Sequence, residues 1–253
     1  MSLTVDVAAT MADLNAKLGD LTRRQLPYAS ALALTRTVQE IQQREVHEMR
    51  DVFNRPTPYT LSSTFIKPAT KSSLQATVGL KDFAGKGIPA AKFLAAQITG
   101  GARRLKRFER ALRSAGHLPE DYRVVPGRGA ELDSYGNIKP SQIVQILSYL
   151  RAFPEAGYRA NMTDRRRKRL ARGTKAKQGF TYFIGRPGDR LPMGVWQRYA
   201  FARGSAVKPV FIFVRQAHYE AVFDFEYVAV STAHSVFHRH LSSALAEAMR
   251  TAR

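Results

Sequence analysis

Cysteine is absent from this chain of 253 residues. Disulfide bonds, thiolate zinc sites and cysteine nucleophiles are therefore excluded. Folding has to rest on packing alone, which fits a reducing compartment such as the cytoplasm. The residues that packing needs are present, because 44% of the chain is hydrophobic and it includes 14 Phe and 10 Tyr. This composition indicates a globular protein of one or two domains and not a disordered basic tail.

Long hydrophobic runs and a secretion signal are also lacking. The first twenty residues, MSLTVDVAATMADLNAKLGD, have no basic start followed by an unbroken apolar stretch, so we expect no signal peptide. The apolar run Val207–Val214 is interrupted by Lys208 and is far too short to span a bilayer. We expect a soluble protein that is made in the cytoplasm and does not contact a membrane.

Acidic residues are scarce, since 20 Asp and Glu stand against 40 Lys and Arg and leave a formal net charge of +20. Charge of this size repels itself and opposes compaction. We therefore expect the chain to meet a polyanion or an acidic protein surface. Two basic runs supply the candidate contact residues, which are Arg103, Arg104, Lys106, Arg107, Arg165, Arg166, Arg167, Lys168, Arg169 and Arg172.

Motifs for catalysis are missing as well. The chain has no Gly-x-Ser-x-Gly elbow and no pair of carboxylates in the pattern of a glycosidase or nuclease. The stretches Gly85-Lys86-Gly87 and Gly127-Arg128-Gly129 are too short for a phosphate loop, because no Gly-Lys-Ser/Thr follows at the required spacing. We predict no catalytic residues and a protein that is not an enzyme.

Metal ligands are present only in weak patterns. His234 and His238 lie four residues apart on a predicted helix, but they lack a third ligand and a carboxylate in the intervening turn. Asp121, Glu131 and Asp133 lie in a glycine-rich segment without the regular spacing of a calcium loop, and the residues after Asp133 predict a tight turn. We therefore predict no metal and no cofactor, and a metal-dependent enzyme built on this acidic segment and the histidines is left open as the weaker alternative.

Hydrophobic periodicity predicts the elements of the N-terminal part. Residues 7–24 favour a short amphipathic helix, and a second helix is predicted from Pro27 to about Phe53. Strands are predicted at Thr64–Pro68 and Ser73–Leu80, where Thr, Ser, Val and Ile dominate. The two strands are expected to pair with each other.

The middle of the chain has a different character. Helices are predicted at Ala90–Ile98, Arg103–Ala115 and Ser141–Phe153. Residues 116–140 are rich in Gly, Pro, Asp and Asn and are predicted to be mostly loop. Residues 155–178 are polar and basic with few hydrophobic residues, and we expect them to form a mobile loop in the free protein.

The last third favours strands followed by a long helix. The strands are predicted at Gly179–Gly185, Val195–Phe201 and Val207–Arg215, and the helix from about Tyr227 to Met249. Strands that follow one another without alternating helices indicate an α+β fold. We expect an antiparallel sheet packed by long N-terminal and C-terminal helices, with a mainly helical insertion.

This order of elements predicts four segments. Residues 1–82 hold the N-terminal helices and the first strands of the core, and residues 83–160 form an inserted segment of helices and loops. Residues 161–178 form the basic loop, and residues 179–253 supply the strands and the helix that complete the core. The predicted core thus joins residues 25–80 with residues 179–253.

Two stretches resemble a bacteriophage family. The first is Gln25–Thr37, where a Pro leads into small and apolar residues with Thr and Arg, and Thr64–Ala69 follows it as a strand-like segment. The second comprises Gly194–Arg198, Lys208–Val214 and the closing helix. Together they cover about half of the chain. They resemble the minor tail protein Z, or tail completion, proteins of long-tailed bacteriophages and their prophages.

The resemblance implies a structural virion protein at the head-proximal end of the tail. Such a protein would complete or terminate the tail and join it to the head, as a subunit of a homo-oligomeric ring in contact with other tail and neck proteins. The family has no catalytic residues to carry over, and its simplest members do not need a segment as large as residues 83–160. The basic runs leave an alternative open, a nucleic-acid-binding protein that contacts DNA at the head–tail junction.

Overall fold

The chain divides into two compact units, each with a hydrophobic core of its own. Unit 1 comprises Met1–Gly101 and Tyr219–Arg253, and unit 2 comprises Ala102–His218. The predicted helix at residues 7–24 lies outside the described residues. The structure, a computed structural model, describes residues 25–85, 87–154, 160–186, 188–215 and 219–251.

Two long helices form the body of unit 1. Helix α1 spans Leu26–Val52 and helix α8 spans Phe225–Thr251, close to the predicted bounds. Pro27 lies in the first turn of α1, where its missing N–H leaves no hydrogen bond unmade. The small and apolar stripe of α1 packs against that of α8 in one core. Ion pairs of 2.8 Å between Arg36 and Glu247 and 2.6 Å between Glu40 and Arg239 show that the helices run antiparallel.

Short elements complete unit 1. Helix α2 spans Pro58–Leu61, strand β1 spans Thr64–Lys67 and strand β2 spans Thr77–Leu80. The two strands pair antiparallel, as predicted, with Thr64 opposite Leu80. The single helix expected over residues 90–98 is divided at Leu94 into α3, Ala90–Phe93, and α4, Ala95–Ile98.

An isolated antiparallel bridge closes unit 1 at the point where unit 2 is inserted. The backbone N–H groups of Gly101 and Tyr219 each donate to the other residue's carbonyl oxygen, both at 2.9 Å. The chain therefore passes from unit 1 to unit 2 after Gly101 and returns to unit 1 at Tyr219, and these two residues are paired.

A four-stranded antiparallel sheet forms the centre of unit 2, in the order β3-β6-β5-β4. Strand β3 spans Tyr122–Pro126, β4 Thr181–Gly185, β5 Gly194–Phe201 and β6 Gly204–Arg215. The last three strands were predicted. Strand β3 was not, because residues 116–140 were expected to be mostly loop; its five residues pair with the C-terminal half of β6.

Two helices pack on this sheet. Helix α5 spans Arg107–Ser114, so it begins four residues later than predicted, and helix α6 spans Pro140–Tyr149. Leu112 of α5 and Ile146 of α6 are fully buried in the same core as Phe211 of the sheet.

Helix α7, Asp164–Arg172, corrects the prediction of a mobile loop over residues 155–178. The hydroxyl oxygen of Thr163 caps its N-terminus by accepting a hydrogen bond from the backbone N–H of Arg166. Leu170 packs against the core of unit 2. Gly173, with a φ of 75°, ends the helix in a conformation that glycine adopts at little cost.

The α+β class and the packing of the N-terminal helix on the C-terminal helix are confirmed. The strands of the last third were expected to complete the core formed by the two long helices, but they lie in unit 2. They share a core with the inserted helices, and the chain returns to unit 1 from Tyr219 onward. The pairing of β3 with β6 explains the difference, because it ties residues 122–126 to the strand region that we had assigned to the other core.

Candidate partner-binding surfaces

Four basic side chains form one face of helix α7. Arg165, Lys168, Arg169 and Arg172 follow the spacing i, i+3, i+4 and i+7, which places them on one side of a helix. All four residues are exposed. We call these four residues the cationic face. Arg166 is also exposed and lies beside it.

The opposite side of α7 holds the helix on unit 2. The guanidinium group of Arg167 donates to the carbonyl oxygen of Tyr149 and lies 5.0 Å from the centre of the Tyr149 ring. The carbonyl oxygen of Leu170 accepts a hydrogen bond of 3.1 Å from the backbone N–H of Phe180. Arg167 therefore serves to seat the helix, although we had predicted it to be a partner contact.

The cationic face has an electrostatic cost within the helix. Arg165 and Arg169, and likewise Lys168 and Arg172, are like charges four residues apart, which destabilise a helix by about 0.2–0.5 kcal/mol per pair. Within the described part of the chain, no ion pair involves any of these four residues. An anionic partner would relieve this repulsion.

Arg103, another predicted contact, is used inside unit 2. Its guanidinium group donates to both carboxylate oxygens of Glu109, at 2.6 and 2.8 Å, and only 19% of its side chain is exposed. The Glu109 side chain is fully buried and also accepts from the backbone N–H groups of Val124 and Lys106, at 2.8 and 2.7 Å. Burial alone would raise the pKa of Glu109, but Arg103 and the two N–H groups outweigh it and hold that pKa below its usual value.

The remaining cations of the first run do not share a helix face. Arg104 and Lys106 precede helix α5, and only Arg107 belongs to it. All three residues are exposed. The structure therefore brings together four of the ten predicted contacts, on α7, and directs Arg103 and Arg167 into unit 2.

The net charge of the chain is concentrated in unit 2. Residues 102–218 contain 25 Lys and Arg against 8 Asp and Glu, an excess of 17. The two parts of unit 1 together contain 15 against 12, an excess of 3. Sequence reasoning missed this asymmetry because it depends on where the two units begin and end.

A β-ribbon extends from the sheet of unit 2. Strand β4 pairs with β5 only as far as Arg198, and β3 pairs with β6 only from Phe211 onward. Residues 199–206 of the β5–β6 hairpin therefore pair with neither outer strand. We call residues 199–206 the ribbon; Phe201 lies opposite Gly204 at its end, and the residue is 54% exposed.

The base of this hairpin follows the prediction. Trp196 lies opposite Pro209 in the register of β5 and β6, so the expected pairing of the Trp196 strand with the apolar run after Pro209 is confirmed. Trp196 and the adjacent Val210 and Phe211 are buried. The ribbon is therefore continuous with a buried part of the sheet.

The weak metal patterns have simple structural roles or none. Asp133 accepts hydrogen bonds from the backbone N–H groups of Tyr135 and Asn137, at 2.9 and 2.8 Å, which confirms the predicted tight turn. His234 and His238 are both exposed on α8. Among the described residues, no group of three or more His, Asp or Glu side chains is placed to hold a metal ion.

Comparisons with protein families, with curated proteins and with solved structures gave no match. No helix in the described ranges is long and apolar enough to cross a membrane. The cationic face and the ribbon, both in unit 2, are two exposed surfaces that a partner could contact.

Proposed function

We propose that this chain is a structural, non-enzymatic protein of a tailed bacteriophage virion. It acts at the head-proximal end of the tail, in tail completion or termination and in head–tail joining. It does so as a subunit of a homo-oligomeric ring that contacts other tail and neck proteins. The family resemblance of Gln25–Thr37 and Lys208–Val214 supports this proposal, and these stretches form the start of α1 and much of β6.

The ribbon is the observation that carries the proposal. A hairpin of two strands is marginally stable on its own in water, and its outer edges pair with no strand among the described residues, although the carbonyl oxygen of Ala200 accepts a hydrogen bond of 3.3 Å from the Gln178 side chain. Phe201 adds an exposed aromatic ring at its end, of the kind that is enriched in protein interfaces. If the ribbon of one subunit pairs with a sheet edge of the next, the contact is head-to-tail and can close into a ring.

The substitution Phe201→Glu in the full-length chain tests this contact. We expect the variant to lose the oligomer, because the carboxylate would have to be desolvated in the interface. Size-exclusion chromatography with light scattering measures the change. Phe83→Glu is the matched control, since Phe83 is 79% exposed in unit 1 and lies outside the ribbon. That variant should keep the mass of the unaltered protein.

The same pair of variants can be tested in particles. Phage that lack this protein should accumulate tails that do not join heads, and the Phe83→Glu protein should restore joining while the Phe201→Glu protein does not. Electron microscopy of lysates gives the fraction of joined particles. A strictly monomeric protein that is also missing from purified virions would overturn the proposal.

A further inference from the structure

We infer that the cationic face of α7 binds the phosphate backbone of duplex nucleic acid without reading its sequence. The inference goes beyond the structural role proposed above and does not depend on it. It starts from a preformed row of cations, Arg165, Lys168, Arg169 and Arg172, which are all exposed.

The dimensions of the cationic face match those of a duplex backbone. The row extends over eight residues, and the seven steps between its ends give a rise of about 10 Å along the helix axis. Over that length a duplex presents several phosphates, since it carries one charge per roughly 1.7 Å of its axis. The row can therefore contact more than one phosphate at once.

The seating of α7 favours phosphate contacts over base contacts. Arg167 and Leu170 attach one side of the helix to unit 2, so only the outer face is available to a ligand. Side chains that reach a duplex from such a surface neutralise phosphates and fix position, whereas sequence is read by contacts to base edges inside a groove. Because the helix is already formed, little ordering cost opposes binding.

The chemistry of the cationic face favours nucleic acid over an acidic protein. The row contains no apolar or aromatic side chain, whereas the centre of a protein interface is apolar and enriched in aromatic residues. Three of its four residues are Arg, whose guanidinium group can donate two parallel hydrogen bonds to a phosphate. The excess of 17 positive charges in unit 2 adds long-range attraction to a polyanion.

The basic turn after α7 adds to this charge. Lys175 and Lys177 are exposed and lie between Gly173 and Gln178, which form an isolated bridge. The backbone N–H of Thr174 donates to the carbonyl oxygen of Lys177 at 2.8 Å, so the turn is held next to the C-terminal end of the helix. Cations at a helix C-terminus are also favoured by the helix dipole.

A variant in which Arg165, Lys168, Arg169 and Arg172 are all changed to Gln tests the inference. Its affinity for a short labelled DNA duplex of mixed sequence is measured over a series of salt concentrations by fluorescence anisotropy. If all four contacts are lost, the slope of log affinity against log salt should become shallower by about 3 to 4. Duplexes of different sequence should lose affinity to the same extent.

The matched control removes the same charge from unit 1. Arg44, Arg50, Lys67 and Lys92 are exposed there, and their combined change to Gln should leave the salt slope within about 1 of its original value. The fluorescence of Trp196, which is the only Trp of the chain and is buried in unit 2, shows whether unit 2 remains folded in the first variant. Far-UV circular dichroism of α1 and α8 shows whether unit 1 remains folded in the control.

Two results would overturn the inference. One is an equal change of slope in the two variants, which would mean that only total charge matters. The other is a higher affinity of the cationic face for polyglutamate than for a duplex of equal charge, which would make the cationic face a site for acidic protein. The oligomer assay on Phe201→Glu reports separately on the ribbon, so the two proposals can fail independently.

Discussion

At the scale of single residues, Glu45 of α1 carries a buried carboxyl group. Its side chain is buried, and neither carboxylate oxygen has a hydrogen-bond partner among the described residues. Burial, together with the nearby carboxylates of Glu48 and Asp224, raises the pKa of Glu45 from its ordinary value of 4.5 to about 9. The side chain is therefore protonated in the folded protein at neutral pH.

The raised pKa predicts a loss of stability with rising pH. Below about 4.5 the carboxyl is protonated in both folded and unfolded chains, so it adds no pH dependence to the stability. Between 4.5 and about 9 the unfolded chain releases the proton that the folded chain keeps, and the free energy of unfolding falls by up to about 1.4 kcal/mol per pH unit. Glu45→Gln should abolish this slope, as measured by urea unfolding with far-UV circular dichroism across the window.

Glu48→Gln provides the control for this prediction. Glu48 lies on the same helix but is only half-buried. Its removal should leave most of the slope in place. A Glu45→Gln protein whose stability depends on pH as steeply as that of the unaltered chain would contradict the assignment.

At the scale of elements, the pair of Arg103 and Glu109 joins helix α5 to strand β3. Glu109 binds the guanidinium group on one side and the backbone N–H of Val124 on the other. Arg103→Met would leave a buried carboxylate without its cation. We expect unit 2 to lose about 3–5 kcal/mol of stability, which the unfolding transition of Trp196 fluorescence would measure.

The neighbouring Arg104 offers the control for this pair. Arg104 is exposed, so Arg104→Met should change the stability of unit 2 by no more than about 0.5 kcal/mol. The pKa of Glu109 is held below its usual value, so the stabilisation is present at neutral pH and is lost as the pH falls through that lowered pKa. Equal stabilities of the two variants would contradict the structural role of Arg103.

The elements that could be predicted are those with a clear local pattern. The apolar stripes of α1 and α8 are visible in the sequence, because burial of one helix face imposes a period on each. Strand β3 has no such signal, since it exists only through its pairing with β6, about 90 positions away in the chain.

Helix α7 could have been found from its ends. It has one large apolar residue, Leu170, so the sequence shows no hydrophobic periodicity that would indicate a helix. Its boundaries, however, carry ordinary signals, namely Thr163 as a cap, Asp164 in the first turn and Gly173 after the last turn. With those bounds the spacing of the cationic face can be read directly. The inward roles of Arg103 and Arg167 could not be predicted from the sequence, because they depend on contacts with Glu109 and Tyr149 in the folded chain.

At the scale of the whole molecule, the bridge between Gly101 and Tyr219 predicts that unit 1 can fold without unit 2. These two residues form a hydrogen-bonded antiparallel pair, and a two-residue Asn-Gly turn is the usual connection for such a pair. Replacing residues 102–218 by Asn-Gly should leave the packing of α1 on α8 intact. Circular dichroism should show a helical protein that unfolds cooperatively.

The excised unit provides the complementary measurement. Residues 102–218 contain their own core and the only Trp, so the isolated unit should show the emission of a buried Trp196. If the shortened unit 1 is an unfolded chain while the isolated unit 2 is folded, unit 1 needs more than its own core. The separate hydrophobic clusters argue for two independent folds.

The division of unit 1 into two parts also governs the order of events on the ribosome. Arg36 and its partner Glu247 are 211 positions apart, whereas unit 2 is one continuous stretch. At 5–20 residues per second, the synthesis of α1 ends roughly 10–40 s before that of α8 ends. Unit 2 is therefore synthesised in full before α8 exists, and until then the apolar stripe of α1 lacks the helix that covers it in the folded protein.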